Sequence, residues 1–204
     1  MKKSILFAAL VLAASASFAQ VTGFVKYDYD RAEGTPQFSV HRSSTGLKYD
    51  FGNGAGAIDV ATAGGQLVIG GDRVNGLGGD IGYSNGVKFG KFGLNGRIGY
   101  TRYEAGTVGT VGRNTHVESW HYSVEGSYPV STAVVAFAGV EHINGKISTT
   151  IADEQLQYSS SGNRYTVGAD IAVTDKLSAR VGFARAVAFG HTGNGITTAL
   201  NYKF

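Results

Sequence analysis

The chain of 204 residues contains no cysteine and only 2 prolines. The lack of cysteine excludes disulfide scaffolds, thiolate metal sites and cysteine nucleophiles. The formal net charge is +3, and it falls to about +1 when Lys2 and Lys3 are left out, so the chain has no basic excess of the kind that nucleic-acid binding requires. After residue 20 there is no run of the roughly 18 apolar residues that a membrane-spanning helix needs.

Glycine is abundant, with 31 residues, and 11 tyrosines and 11 phenylalanines are interleaved with it. Disordered chains are poor in aromatic residues, so this composition indicates a folded chain. The mean hydropathy is only −0.03. A β-barrel in a membrane has this property because apolar and polar residues alternate along each strand, while its closed sheet pairs every backbone group.

The N-terminus has the pattern of a secretory leader. Two lysines are followed by an apolar stretch over residues 5–14 and then by Ser17-Phe18-Ala19, a small-x-small cleavage site. The apolar stretch is shorter than the ~20 residues of a spanning helix. The sequence therefore predicts a signal peptide at residues 1–19 and one domain at residues 20–204, which leaves the cytoplasm.

The last nine residues alternate strictly. Strands send successive side chains to opposite faces, so one face is largely apolar and the other is polar. The apolar parity comprises Ile196, Thr198, Leu200, Tyr202 and Phe204. This stretch resembles the C-terminal signature of bacterial outer-membrane β-barrel proteins. The resemblance implies that Leu200, Tyr202 and Phe204 form a signal that the barrel-assembly machinery reads.

Alternating segments separated by turn signals recur along the whole mature chain. We predict ten strands in a closed, antiparallel, up-and-down transmembrane β-barrel, with eight as the alternative if the third and fourth segments do not both cross. Short turns are expected near Gly52, Pro129 and Thr174, and longer loops at residues 70–78, 104–115 and 144–163. The ten segments are residues 21–31, 38–51, 57–69, 79–86, 92–101, 120–128, 133–143, 165–173, 177–183 and 196–204.

The two strands on either side of Thr174-Asp175-Lys176 look like those of small outer-membrane barrels related to the transmembrane domain of outer membrane protein A. This resemblance implies a Gram-negative outer-membrane location, contact with membrane lipid and lipopolysaccharide, and a chain that works as a monomer. External loops of such a barrel are where an extracellular ligand would bind, because loops vary on a rigid scaffold.

The polar parity of the strands predicts a charged lumen. Charges held away from bulk water need partners, so these groups form either a salt-bridged plug or the lining of a narrow pore, and the sequence leaves both open. The predicted lumen charges are Lys26, Asp28, Asp30, Lys48, Asp50, Arg97, Glu125, Arg164, Asp170, Arg180 and Lys203.

His121-Tyr122-Ser123 resembles the His-x-Ser element of outer-membrane lipid A 3-O-deacylases, in which a histidine activates a serine. The residues after Ser123 depart from that family, and no downstream glutamate stands at the expected position. The histidines show no metal-ligand spacing, and no phosphate-binding loop is present, so we expect no metal, cofactor or enzyme activity.

The sequence favours a structural or surface-interaction role in the outer membrane, with or without a narrow lumen pore. The alternative is a porin-like channel for ions or small solutes. Lipid A deacylation and a soluble lipocalin-like protein are remote alternatives.

Overall fold

Ten β-strands form a closed antiparallel barrel in the computed structural model of the chain. The structure describes residues 20–32, 38–52, 54–69, 72–105, 113–151, 154–188 and 191–204. The predicted leader lies outside the described residues. The all-β, up-and-down barrel that the sequence predicts is confirmed with ten strands, and the alternative of eight is wrong. Within the described ranges, no helix is long and apolar enough to cross a membrane.

The strands follow one another around the barrel in chain order. They are β1 (Gln20–Ala32), β2 (Phe38–Asp50), β3 (Ala57–Ile69), β4 (Asp72–Phe89), β5 (Phe92–Ala105), β6 (Arg113–Pro129), β7 (Val134–Ile151), β8 (Glu154–Ala172), β9 (Leu177–Ala188) and β10 (His191–Lys203).

The first and last strands close the sheet. β1 pairs with β10 from Thr22↔Lys203 to Ala32↔Gly193, and with β2 on its other side. Each strand therefore has two hydrogen-bonded neighbours in the body of the barrel, which removes the open edges that a lone sheet would expose.

The barrel has two distinct ends. Both described chain ends lie beside the short connections at residues 51–56, 90–91, 130–133 and 173–176, and we call this the terminal end. Gly90 has φ 61°, a left-handed conformation that glycine adopts without strain, and it allows the two-residue turn between β4 and β5. The other strand ends form the loop end.

The outward face is apolar. Large hydrophobic side chains from every strand are exposed around the wall, among them Leu77 at 76%, Phe183 at 74% and Val167 at 59%. The inward face instead buries polar groups such as Asp28 and Arg164, at 5% and 4% exposure. Most folded proteins bury apolar side chains and expose polar ones. The opposite arrangement here suits a wall with lipid outside and polar groups inside.

The two strands β7 and β8 are longer than the sequence predicts. β7 continues to Ile151 and pairs with β8 as far as Ile151↔Glu154, so the prediction of a loop over residues 144–163 is wrong. These residues are polar on both parities and show no alternation, but the antiparallel ladder holds them in strands.

Two smaller loop predictions also need correction. The loop predicted at residues 70–78 is wrong beyond residue 71, because β4 begins at Asp72 and pairs with β3 through its glycine-rich start. β4 also continues to Phe89, beyond the end of the segment predicted at residues 79–86. Residues 106–112, the centre of the loop predicted at residues 104–115, lie outside the described residues.

The C-terminal strand packs onto the N-terminal one. Phe204 N–H donates to the carbonyl of Val21 at 3.1 Å, and the Phe204 ring contacts the Tyr202 ring edge-on with centroids 5.4 Å apart. A Cβ at Gly23 would lie 3.2 Å from Phe204 Cε2, so the missing side chain makes room for the terminal ring.

Candidate functional site

The charged side chains of the inward face gather into three groups, each centred on one arginine. We name them the Arg164, Arg97 and Arg180 clusters. Each of them joins side chains from several strands, so none is visible as a local motif.

The Arg164 cluster crosses the interior. Arg164 on β8 donates through Nε to Asp30 on β1 at 3.1 Å, and its Nη2 lies 3.3 Å from Asp28 Oδ1. Arg42 on β2 donates to Asp30 at 3.0 Å, and Lys26 Nζ lies 3.0 Å from Asp28. Strands β9 and β10 separate β8 from β1 in the wall, so these contacts must pass through the lumen.

The Arg97 cluster joins three neighbouring strands. Arg97 on β5 donates two hydrogen bonds to Asp59 on β3, at 3.1 and 2.6 Å, and a further one to Asp80 on β4. Gly82 and Gly99 lie beneath the guanidinium, and a Cβ at either position would collide with it. The planar fork of arginine suits this double carboxylate contact.

The Arg180 cluster joins strands β6, β8 and β9 in the lumen. Arg180 on β9 forms paired hydrogen bonds with Glu125 on β6, both 2.9 Å, and with Asp170 on β8, both 2.7 Å. Its guanidinium carbon lies 4.1 Å from the centre of the Phe137 ring, which is only 3% exposed. A Cβ at Gly168 would lie within 3 Å of both Val181 O and Phe137 Cζ, so glycine there leaves room for the neighbouring strand and for the ring.

His121 is buried between hydroxyl and carboxylate groups. Its Nδ1 lies 3.1 Å from Glu141 Oε1, and its Nε2 lies 2.8 Å from Ser119 Oγ and 3.1 Å from Thr101 Oγ1. Ser123, the serine of the His-x-Ser resemblance, forms no hydrogen bond with this ring in the described part of the chain. The serine that contacts the imidazole is Ser119, two residues before His121, and not Ser123, two residues after it.

Three predicted lumen charges lie outside the clusters. Lys48 and Lys203 have no carboxylate within ion-pair distance among the described residues. Both lie near the terminal end, opposite Thr22 on the neighbouring strand β1. Asp50 is exposed, and its Oδ1 accepts a hydrogen bond from Gly52 N–H at 2.8 Å. The other eight predicted charges all belong to one of the three clusters.

The sequence missed several members of these networks. Asp59 and Asp80 lie on strands whose glycines obscured the alternation. Arg42 lies in the first half of β2, where the alternation is indistinct. Glu141 lies in the first part of β7, where apolar residues occupy both parities. Two of these residues directly precede an apolar residue: Asp59 precedes Val60 and Asp80 precedes Ile81, which are 54% and 53% exposed on the outward face. Since side chains alternate between faces, placing the valine and the isoleucine outward would have placed both aspartates inward.

Two of the cavities lined by described residues contain charged groups of the inward face. One of about 110 Å³ is lined by groups of the Arg97 and Arg164 clusters together with His121 and Glu141. The other, of about 330 Å³, lies at the terminal end between β2 and β6. Across the described ranges, no three His, Asp or Glu side chains form a group that could hold a metal ion.

Comparison with known proteins identifies the fold. No protein-family model and no curated protein sequence matches the chain. An outer-membrane channel from Pseudomonas putida is similar in structure, with a TM-score of 0.60 at 10% identity, over 94% of this chain and 98% of that chain. The translocator domain of the autotransporter NalP from Neisseria meningitidis has a TM-score of 0.54 at 11% identity, over 100% of this chain and 94% of that chain. This chain therefore has the fold of the bacterial outer-membrane β-barrels.

Proposed function

We propose that this protein resides in the bacterial outer membrane as a closed barrel with a structural or surface-interaction role and no enzymatic activity. The apolar outward wall and the predicted leader support the location. Membrane lipid and lipopolysaccharide are the expected contacts of the wall. The exposed Leu200, Tyr202 and Phe204, at 53%, 44% and 70%, are available to the barrel-assembly machinery.

The single observation that carries the proposal is the Arg164 cluster across the lumen. Arg164 and Asp28 are almost completely buried, and their contacts tie β8 to β1 through the space that a pore would need. Buried charges persist only when they are paired and hydrogen-bonded, so opening this path would leave unpaired charges at high cost. The interior groups therefore act as a plug.

The extended sheet at the loop end supplies the surface role. β8 pairs with β7 from Glu154 onward, but its pairing with β9 begins only at Gly162↔Ala188. Residues 154–161 therefore extend beyond β9 as part of a sheet with β6 and β7. An ordered projection of this kind offers a ligand a surface with little conformational entropy left to lose.

Planar-bilayer recording on the protein purified from membranes tests the proposal. We expect the wild-type barrel to be electrically silent, and Arg164→Gln to admit current because it removes the contacts across the lumen. Arg185→Gln, an exposed arginine of β9, is the matched control and should stay silent. Reproducible openings of the wild-type barrel would contradict the proposal.

A channel for ions or small solutes is the second candidate. The two cavities favour it, because both are lined by polar groups of the inward face, one beside the Arg164 cluster and the other at the terminal end. A channel predicts wild-type openings whose ion selectivity changes in Arg97→Glu and Lys203→Glu. The same recording therefore separates the two functions.

A further inference from the structure

The terminal end of the lumen contains a cavity that the plug does not fill. It measures about 330 Å³ and is lined by five inward-facing polar side chains from four strands: Lys48, Ser84, Lys88, Asn95 and Ser127. A water molecule occupies about 30 Å³ of liquid, so the cavity has room for a small solute.

The two lysines of this cavity differ from the five cations of the clusters. Lys26, Arg42, Arg97, Arg164 and Arg180 all have carboxylate partners within 3.3 Å. Lys48 and Lys88 have none among the described residues, although Lys48 is only partly exposed. The carboxylate in the lining, Asp50, accepts its hydrogen bond from the backbone of Gly52 instead. The lining therefore holds two lysines that form no ion pair with a described residue and one carboxylate, so its net charge is positive.

Neutral donors surround the two lysines. Ser84 is 4% exposed, and its hydroxyl makes no hydrogen bond within the described part of the chain although it faces the cavity. A Cβ at Gly86 would lie 3.1 Å from Asn95 Oδ1, which shows that the amide of Asn95 lies over the inner face of β4. Hydroxyl and amide groups beside ammonium groups are donors that an oxyanion accepts from.

We propose that this cavity, the terminal-end pocket, binds a small phosphorylated solute. Lysine is a point-charge ligand that suits phosphate, and the two lysines outnumber the single carboxylate of the lining. The space beyond a phosphate group leaves room for a small organic substituent. Lys203 lies two strands from Lys48 across Thr22, about 10 Å away at the usual strand spacing, and extends the positive field toward the mouth.

The pocket does not depend on whether the lumen conducts. It lies at the terminal end, and its two lysines take no part in the Arg164 cluster across the lumen. Its failure and the failure of the proposed function are therefore seen in different experiments.

Calorimetric titration with inorganic phosphate tests the pocket. The protein is purified from membranes in a maltoside detergent at low ionic strength, with phosphate-free buffer. We expect saturable binding to the wild type, at least tenfold weaker in the Lys48→Gln, Lys88→Gln double variant. Lys91→Gln with Lys176→Gln is the matched control, because it removes the same charge from exposed turns at the same end.

A second variant guards against misfolding of the first. Ser84→Ala removes only a hydroxyl and is expected to weaken phosphate binding severalfold without changing the heat-modifiable migration of the barrel. Acetate should bind more weakly than phosphate if the doubly charged group is recognised. Phosphate affinity that is equal in the wild type, the double variant and Ser84→Ala would overturn the proposal.

Discussion

Arg164 on β8 donates from one nitrogen to both carboxylate oxygens of Asp30 on β1, at 3.1 and 3.2 Å, although 134 positions of sequence separate them. Since two other strands lie between β8 and β1 in the wall, this ion pair braces the barrel from within.

Loss of the brace should therefore destabilise the barrel. Arg164→Met leaves Asp28 and Asp30 buried with fewer partners, and removal of one member of a buried ion pair costs about 3–5 kcal/mol. We expect a lower urea midpoint for unfolding in lipid vesicles. Asp30→Asn in the same chain should restore part of the loss, because it removes one uncompensated charge. A midpoint equal to that of wild type would show that the pair contributes nothing.

The space beneath Arg97 should be equally sensitive. Gly82→Ala places a methyl group against the guanidinium that Asp59 and Asp80 hold, and overpacking of this kind costs about 1–3 kcal/mol. Gly79→Ala on the same strand is the control, because its Cβ would meet only Ala61 O at 3.6 Å. The temperature at which the folded band is lost on a gel should fall for Gly82→Ala alone; equal shifts would count against the packing argument.

Whether the outward face contacts lipid can be tested by introducing a lysine at two outward positions, one within a strand and one in a turn. Val167 and Val173 are about equally exposed, at 59% and 57%, but Val167 lies within β8 and Val173 in the turn after it. Val167→Lys should cost about 2–4 kcal/mol, the expected price of lysine at the bilayer midplane. Val173→Lys should cost about 0–1 kcal/mol, as at the interface. Equal unfolding free energies in lipid vesicles would argue against a membrane-spanning wall.

The terminal aromatic should matter for assembly more than for stability. Phe204→Ala removes the ring over Gly23 and is expected to reduce the folded barrel recovered from outer membranes severalfold. Phe89→Ala is the control, since Phe89 is 65% exposed at a turn of the same end. If both variants accumulate to the same level, the C-terminal residues are not the signal that the resemblance implies.

The parts of the strands with an apolar outward face were predictable, because apolar and polar side chains must alternate along them. Clear examples are β5, β6 and β10, where each outward side chain must be apolar and each inward one can be polar. The prediction failed at residues 144–163, outside those parts. Polar residues occupy both parities there, so no alternation marks the strands, and pairing between β7 and β8 holds the extended conformation.

The amino-acid sequence by itself predicted the class of this protein: the period of 2 along the chain, the absence of cysteine and of long apolar runs, and the aromatic C-terminal strand together indicate a closed antiparallel β-barrel, with ten or eight strands. Only the tertiary structure decided which charges meet. Partners such as Arg164 and Asp30 are brought together by closure of the sheet, and the parity of a residue specifies the face on which it lies but not its partner across the lumen. Likewise, only the structure shows that Lys48 and Lys88 form no ion pair with any other described residue.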